Sequence, residues 1–352
     1  YNSYVIMDEK IAIMDMVDAK CADQWFANVA EVLGDRQPDY LIISHLEPDH
    51  SVNLGDVLAK YPDIKIVSNA KLFAMLPNFF EVPVADRSVT VAEGQTLSLG
   101  SHTLQFFMAP MVHWPEVMVT YEQSEKILFS ADAFGKFGTL DTDEDWACEA
   151  RRYYFNIVGK YGMPAQALLK KAAGLDIQKI CALHGPILTE NLEYYIGKYQ
   201  LWSTYTPEDE GIFIAYCSLH GNTEKAAKKL AEILEAKGAP KVAISDLSRD
   251  DMAECIEDAF RYDRLVLAAP TYDGGVMPVM ADFINHLKMK AYQKRKVAFI
   301  ENGSWAPMAA KLMKEQMAAM KDIEIVDEHV TIRSAFKQSD VAALEALAGK
   351  LL

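Results

Sequence analysis

The apolar and polar positions of residues 1–203 predict short strands interspersed with helices. Two strands are expected within residues 3–17, around a turn at residues 8–10. Further strands are predicted at 40–43, 64–68, 89–93, 103–108, 117–121, 127–130 and 178–183, and helices at 23–33, 51–60, 145–160, 164–173 and 189–202. Strands and helices do not alternate regularly in this part of the chain.

From Gly211 onward the pattern becomes regular, with a helix after each strand. Strands are predicted at 212–216, 241–245, 264–269, 296–300 and 323–326, and helices at 223–237, 251–259, 277–288, 307–320 and 339–351. Such alternation predicts a doubly wound parallel sheet. The polar segment 204–210 contains Pro207 and separates the two patterns. We therefore expect domains at 1–203 and 211–352, joined by a linker at 204–210.

Length and composition indicate a cytoplasmic protein of two domains. The chain has 352 residues, of which 51% are hydrophobic and 24% charged. No stretch approaches the roughly 18–20 apolar residues that a membrane helix needs, and no signal peptide is evident. Five scattered cysteines without a CxxC pair argue against a disulfide framework and against thiolate-bound metal. Because Tyr1 directly precedes a predicted strand, we expect further residues upstream.

The net charge of −15 is unevenly distributed and argues against nucleic acid as a partner. Residues 1–210 contain 16 Lys and Arg against 30 Asp and Glu, which gives −14, whereas residues 211–352 contain 19 against 20, which gives −1. The second part nevertheless has a basic run between residues 288 and 296: Lys288, Lys290, Lys294, Arg295 and Lys296. This run is either an ordinary solvated face or a docking patch for an acidic electron donor.

The segment ISHLEPDH, residues 43–50, concentrates four potential metal ligands just after a predicted strand. Three more follow later strands, and the seven are His45, Glu47, Asp49, His50, His113, Asp132 and His184. Strand ends on one edge of a sheet can converge, so we expect these side chains to form one site. Seven ligands exceed the needs of one tetrahedral zinc and suit two metals that share a bridging carboxylate. The mixed imidazole and carboxylate set, with Glu47, favours iron over zinc.

Three loops of the second part predict a flavin site. The first follows the opening strand and begins a helix, where hydroxyl and backbone N–H groups bind phosphate. GxxxxGK[ST] and GxGxxG are absent, which disfavours nucleoside triphosphates and dinucleotides and leaves FMN. In the other two loops, glycines let the backbone approach a flat ring and aromatic side chains lie against it. The predicted residues are Ser218, Leu219, His220, Gly221, Asn222, Thr223, Pro270, Thr271, Tyr272, Asp273, Gly274, Gly275, Asn302, Gly303, Ser304 and Trp305.

The pattern H-x-E-x-D-H, followed by His113, Asp132 and His184 on a chain that continues into a flavodoxin-like half, resembles the flavodiiron proteins. YNSYVI, SADAFGKFG, RRYYFNIVGKYG and HGP extend the resemblance over the chain, although S-L-H-G-N-T departs from the more frequent S-M-Y-G-N-T. The resemblance implies an α/β protein, a metallo-β-lactamase-like αββα sandwich followed by a flavodoxin-like sheet. It implies two non-haem irons: His45, Glu47 and His113 bind one, Asp49, His50 and His184 bind the other, and Asp132 bridges them.

The same resemblance implies an oxidoreductase that reduces dioxygen to water or nitric oxide to nitrous oxide. Two irons and reduced FMN together supply the four electrons that one dioxygen requires. A head-to-tail homodimer, alone or as a dimer of dimers, is implied, with Trp305 at the flavin or the subunit junction unless it is a packed core residue. Because no CxxC pair follows the flavin loops, we expect an external donor such as rubredoxin or a rubredoxin reductase.

Two alternatives remain open from the residues alone. One is a dizinc hydrolase fused to a flavin domain, which Glu47 argues against. The other is a flavodoxin-like electron carrier with a degenerate first domain, which the complete ligand set argues against. The ligands do not distinguish dioxygen from nitric oxide as the substrate.

Overall fold

The structure is a computed structural model that describes residues 1–142 and 145–352. These residues form two compact units. One unit comprises Tyr1–Tyr153 and Tyr161–Gln200, and the other comprises Tyr154–Lys160 and Leu201–Leu352. The second unit thus includes seven residues from the middle of the first pattern. The segment 204–210 overlaps strand β11, which begins at Asp209, so it is not a free linker over its whole length.

Two five-stranded sheets form the first unit. The first sheet has the order β1-β2-β3-β4-β5 and is parallel except for the β1–β2 pair. The second has the order β10-β9-β8-β7-β6 and is antiparallel except for the β10–β9 pair. The strands are β1 Tyr4–Ile6, β2 Ala12–Met14, β3 Tyr40–Ile42, β4 Lys65–Asn69, β5 Ser88–Val91, β6 Thr96–Ser98, β7 Thr103–Met108, β8 Met118–Glu122, β9 Ile127–Phe129 and β10 Lys179–Cys181.

Alternation along β2 shows how the sheets are layered. Ile13 belongs to a buried cluster with Trp25 and Val29 of helix α1, whereas Met14 belongs to a cluster with Phe106 of the second sheet. Successive side chains of a strand point to opposite faces, so one face of this sheet packs on helices and the other on its partner sheet. The helices of this part are α1 Ala22–Leu33, α2 Pro48–Ser51, α3 Leu54–Lys60, α4 Ala70–Met75, α5 Trp146–Ile157, α6 Gly162–Ala172 and α7 Leu192–Ser203. The arrangement is the expected metallo-β-lactamase-like sandwich.

The second unit contains a parallel sheet with the strand order β12-β11-β13-β15-β16. In chain order this is 2-1-3-4-5, the flavodoxin-like arrangement. Its elements are β11 Asp209–Tyr216, α8 Asn222–Ala236, β12 Val242–Asp246, α9 Met252–Arg261, β13 Tyr262–Tyr272, β14 Gly275–Val276, α10 Pro278–Met289, β15 Arg295–Asn302, α11 Ala309–Ala318, β16 Ile323–Ile325, β17 Val330–Ile332 and α12 Val341–Leu351. Short β17 pairs with the end of β15, and β14 forms a hairpin with β13.

Arg295 is not part of any basic surface patch. Its side chain is buried, and its guanidinium group donates hydrogen bonds to the carbonyl oxygens of Tyr205 at 2.7 Å, Gln293 at 2.9 Å and Phe260. Burial lowers the pKa of Arg295 to about 10. The residue is a structural support for three backbone segments, so the hypothesis that included it in a docking patch is wrong.

Three of the neighbouring lysines are also engaged, while Lys288 is exposed. Lys290 donates to the carbonyl oxygen of Asn156 at 3.0 Å, and Lys296 pairs with Glu324 at 3.3 Å. Lys294 is exposed but donates to the carbonyl oxygen of Thr204 at 2.8 Å. The run therefore supports local structure more than it offers a continuous charged face.

Candidate metal centre and flavin site

All seven predicted metal ligands lie in segments that follow strands of the first unit. His45 and Glu47 come after β3, Asp132 after β9 and His184 after β10, while His113 lies in the connection from β7 to β8. Asp49 and His50 lie on the short helix α2, which begins at Pro48, a residue suited to the first helical turn. The structure brings these residues together in two groups.

The first group consists of His45, Glu47, His113 and Asp132, whose potential ligand atoms all lie within 4.8 Å of one another. The Nε2 atoms of His45 and His113 both lie 3.1 Å from Oε2 of Glu47. The same two nitrogens lie 3.4 Å and 3.2 Å from Oδ2 of Asp132. Two imidazoles and two carboxylates thus converge on one point.

The second group consists of Asp49, His50 and His184, again with ligand atoms within 4.8 Å of one another. Oδ2 of Asp49 lies 3.3 Å from Nε2 of His50 and 3.4 Å from Nε2 of His184. The two Nε2 atoms lie only 3.0 Å apart. This group also offers nitrogen and oxygen donors to a common point.

Asp132 faces both groups. Its Oδ2 is directed at His45 and His113, whereas its Oδ1 lies 3.3 Å from Nε2 of His50 and 3.5 Å from Nε2 of His184. The side chain is 1% exposed, and neither oxygen has a hydrogen-bond partner among the described residues. A buried carboxylate without hydrogen bonds is costly unless a cation compensates it. The donor set therefore fits two metal ions bridged by Asp132.

The backbone around Asp132 is held in an uncommon conformation. Ala131 has φ 51° and Phe134 has φ 67°, both in the left-handed region that non-glycine residues seldom adopt. The N–H of Phe134 donates to the hydroxyl of Tyr199 at 2.6 Å, and the hydroxyl of Ser130 donates to the carbonyl oxygen of Ala133 at 2.6 Å. Strained backbone of this kind often occurs at functional sites, where neighbouring contacts hold it in place.

Ionisation of the site follows from the pairing of imidazoles with carboxylates. Burial works against the charge of His45, but hydrogen bonds with Glu116 and Glu47 outweigh it and raise the pKa of His45 to about 10. Burial likewise opposes the charge of Glu47, yet bonds from His113 and His45 lower its pKa to about 2. A dication among these atoms would replace the protons on Nε2 of the imidazoles, so metal binding is expected to release protons.

Sequence reasoning missed two residues beside the ligands. Glu116, just before β8, accepts a hydrogen bond from Nδ1 of His45 at 2.8 Å. Tyr153 is buried with its ring centroid 5.6 Å from that of His184, and burial, followed by the charge of Asp132, raises its pKa well above the ordinary value. Neither residue stands in a pattern that marks a metal site, so neither could be identified from the sequence alone.

The three predicted flavin segments lie at one edge of the second sheet. The first follows β11, the second begins in the last residues of β13 and continues through the hairpin to β14, and the third begins at Asn302, the last residue of β15, so the predicted loops after β13 and β15 start within the strands. Because β11, β13 and β15 are adjacent and parallel, their carboxyl ends meet at the same edge. Gly221, with φ 76°, precedes α8, whose first N–H groups have no partner within the helix. Thr223 is buried, and the buried hydroxyl oxygen of Ser218 has no hydrogen-bond partner among the described residues. This end of α8 fits a phosphate group.

Several predicted flavin residues hold the loops together. The hydroxyl of Thr271 accepts hydrogen bonds from the N–H groups of Met308 at 2.9 Å and Ala309 at 3.1 Å. Asn222 accepts from the N–H of Phe336 at 3.1 Å. Pro270 is buried within β13, and Asn302 accepts from the N–H of Ser334 at 3.1 Å and donates to its carbonyl oxygen.

The remaining predicted flavin residues are half-buried or exposed: Leu219, His220, Tyr272, Asp273, Gly274, Gly275, Gly303, Ser304 and Trp305. A side chain on Gly303 would approach Pro307 to 2.9 Å, so this close turn requires glycine. Trp305 is 91% exposed and Tyr272 is 42% exposed. The alternative that Trp305 is a packed core residue is therefore wrong, and both aromatic rings are free to contact a ligand or partner.

Among the described residues, every helix is too short or too polar to cross a bilayer.

Comparisons with known proteins follow the same two-part division. A model for the "ODP family beta lactamase" matches residues 1–185, and a flavodoxin domain model matches residues 213–344. An uncharacterized protein of Methanocaldococcus jannaschii is 29% identical over 96% of this chain and 86% of its own length. A putative diflavin flavoprotein A of Nostoc is 30% identical over 86% of this chain, which spans 53% of that protein. An anaerobic nitric oxide reductase flavorubredoxin of Escherichia coli is 27% identical over 87% of this chain and 66% of its own length.

Solved structures give the same result. Rubredoxin oxygen:oxidoreductase from Desulfovibrio gigas has a TM-score of 0.91 and 25% identity, covering 100% of this chain and 89% of that one. A flavodiiron protein from Giardia intestinalis has a TM-score of 0.92 at 22% identity, covering 100% of this chain and 88% of that one. The second likeness is one of fold.

Proposed function

The chain belongs to the flavodiiron protein family, and from that membership we propose that it reduces dioxygen to water, nitric oxide to nitrous oxide, or both. The observation that carries the proposal is the position of Asp132, with one oxygen toward each group of ligands and no other partner among the described residues. A hydrolase also uses paired metals, but this donor set, with Glu47 in the first group, favours a redox-capable iron.

We assign His45, Glu47 and His113 to one iron, Asp49, His50 and His184 to the other, and Asp132 to both. When bound, two irons and FMN would together supply up to four electrons, the number needed to reduce one dioxygen to two waters. The residues themselves bring the two groups of ligand atoms next to each other. Asp132 would hold both ions, because each of its two oxygens faces one group.

In the second unit, we assign the FMN phosphate to Ser218, Gly221, Asn222 and Thr223 at the beginning of α8. The glycine-containing loops after β13 and β15 would bind the flavin ring. Tyr272 and Trp305 are exposed aromatic residues of these loops, so either can stack on a flat ring without losing core packing.

Electron transfer in this proposal runs between subunits of a head-to-tail homodimer and begins with an external donor. The dimer and the donor are implied by the family resemblance. Among similar structures, one protein carries the name rubredoxin oxygen:oxidoreductase, which supports a rubredoxin-type donor for this chain. The exposed Trp305 beside the flavin loops supports a contact surface there.

Metal and flavin analysis of protein purified without oxygen tests the proposal. We expect two irons and one FMN per chain, and rapid consumption of dioxygen or nitric oxide after reduction by dithionite. Two zinc ions would instead indicate the hydrolase, and FMN without metal would indicate the electron carrier. Protein loaded with iron and FMN that consumes neither gas would contradict the proposed reaction.

A further inference from the structure

Glu116 contacts the candidate ligand His45 but belongs to neither group of candidate metal ligands. Its side chain is 1% exposed and lies just before β8. Oε1 accepts two hydrogen bonds, one from Nδ1 of His45 at 2.8 Å and one from the backbone N–H of Leu46 at 2.9 Å. Oε2 is buried and has no hydrogen-bond partner among the described residues. One oxygen of Glu116 thus makes both contacts.

The bond from Nδ1 determines the tautomer and the orientation of the His45 imidazole. A carboxylate can only accept, so Nδ1 of His45 carries the proton and Nε2 is left to act as a ligand. Nε2 is the atom that faces Glu47 and Asp132. By contrast, the buried Nδ1 of His50 has no partner among the described residues. The support by a carboxylate therefore distinguishes His45 from His50.

The backbone around Glu116 is itself held in place. The side-chain amide of Asn69 donates to the carbonyl oxygen of Glu116 at 2.6 Å. The N–H of Met118 donates to the carbonyl oxygen of Ser44 at 3.1 Å, so the start of β8 is bonded to the residue before His45. Glu116 and Met118 thus fix the ligand loop on both sides of His45.

We propose that Glu116 is a positioning residue that holds His45 toward the first iron and, through its negative charge, increases electron donation from the imidazole to that iron. The inference rests on the proposed diiron function. Partners that orient metal-bound histidines typically contribute 10- to 100-fold to metal affinity or activity, about the effect expected here. Greater donation also stabilises the oxidised iron, so the carboxylate should lower the reduction potential of the site.

Glu116→Gln separates the charge from the geometry. Because both hydrogen bonds go to one oxygen, a glutamine carbonyl in that position keeps them and removes the charge, while the amide NH2 takes the place of the unpartnered Oε2. Glu116→Ala removes both. Glu122→Gln is the control for the loss of a buried carboxylate: Glu122 is equally buried and ends β8, and its two oxygens each accept one backbone N–H, from Ser124 and Glu125, so the glutamine gives up one bond that involves no ligand.

The test is an anaerobic Fe²⁺ titration against a competing chelator, with a redox titration of the loaded protein. We expect Glu116→Gln to bind iron roughly 10- to 100-fold more weakly and at a higher potential, Glu116→Ala to lose more iron, and Glu122→Gln to match the wild type. A wild-type circular dichroism spectrum and an unchanged thermal unfolding midpoint of the first unit show that each variant is folded, since FMN content reports only on the other unit. Wild-type affinity and potential in Glu116→Gln would overturn the inference alone, whereas wild-type protein that binds no iron would overturn the proposed function with it.

Discussion

Asp132 is a buried carboxylate whose two oxygens are directed at different groups of imidazoles. We expect Asp132→Ala to lose most of its iron while keeping FMN, because the flavin loops lie in the other unit. His184→Ala should lose the metal of the second group first. Metal analysis and the flavin absorbance of the same sample measure both quantities. Simultaneous loss of iron and FMN from folded protein would contradict this separation.

Trp305 and Trp202 offer a matched pair of tryptophans with opposite burial. Trp305 is 91% exposed and Trp202 is 1% exposed. Trp305→Ala should change the free energy of unfolding by less than about 0.5 kcal/mol, whereas Trp202→Ala should cost about 3–5 kcal/mol. If Trp305 contacts the flavin or a second subunit, its removal should slow reduction of the iron site in stopped-flow measurements. An unchanged rate would exclude that role.

At the scale of elements, hydrogen bonds connect the turn between β1 and β2 to the connection between β6 and β7. Oδ2 of Asp8 accepts hydrogen bonds from the N–H of His102 at 2.7 Å and from its Nδ1 at 2.9 Å. The bond to Asp8 raises the pKa of His102, aided by Glu125 and Glu122, and the bonds from His102 and its neighbours lower the pKa of Asp8.

The ion pair between His102 and Asp8 predicts that the stability of the fold depends on pH. A raised histidine pKa contributes stability that is complete below about pH 6.5 and disappears as pH rises through the folded-state pKa. A lowered aspartate pKa contributes above about pH 4 and is lost only on stronger acidification. We therefore expect His102→Gln to lower the unfolding midpoint more at pH 5.5 than at pH 9. An equal loss at both pH values in denaturant titrations would show that the ion pair contributes nothing.

Elements with a strong apolar pattern could be predicted from sequence, even the three-residue strands β3, β9 and β10, whereas some short elements without such a pattern could not. The strand predicted at 103–108 is β7, and the helix predicted at 223–237 is α8, Asn222–Ala236. Helix α4 and strands β6 and β17 were missed, because elements of three to six residues have too few positions to show a period. The conformation of the two missed strands depends on their partners, since β6 pairs with β7 and β17 pairs with the end of β15.

Some residues of the candidate site could likewise be predicted from the sequence and others could not. Residue type and position after strands pointed to all seven candidate ligands, which the structure brings together in two groups, since few other side chains bind metal. Glu116 escaped notice because an isolated glutamate has no pattern until the fold places it against His45, 71 residues away in sequence. The place of Arg295 in the basic run was wrong for a related reason: charge in a sequence does not show that this side chain is buried against backbone carbonyl groups.

At the scale of the whole molecule, mixing two inactive variants tests the proposed exchange of electrons between subunits. Asp132→Ala should keep FMN and lack iron, and Ser218→Glu should keep iron and lack FMN because a carboxylate repels the phosphate. After subunits are exchanged, a head-to-tail dimer should regain activity, since the flavin of one subunit then serves the irons of the other. Activity that never exceeds the sum of the separate variants would place electron transfer within one chain.

Residues Tyr154–Lys160 belong to the second unit although the chain returns to the first unit immediately afterwards. There the ring of Phe155 stacks on Phe260 with centroids 4.1 Å apart, and the hydroxyl of Tyr205 donates to the carbonyl oxygen of Gly159 at 3.1 Å.

A gene fragment that begins near residue 204 would lack Tyr154–Lys160. The residues that this segment covers, such as Phe260, would then be exposed. We infer that the flavin half cannot be transplanted intact by one recombination crossover. A gene-shuffling event would need to carry both Tyr154–Lys160 and Leu201–Leu352, so we expect the two units to be inherited together.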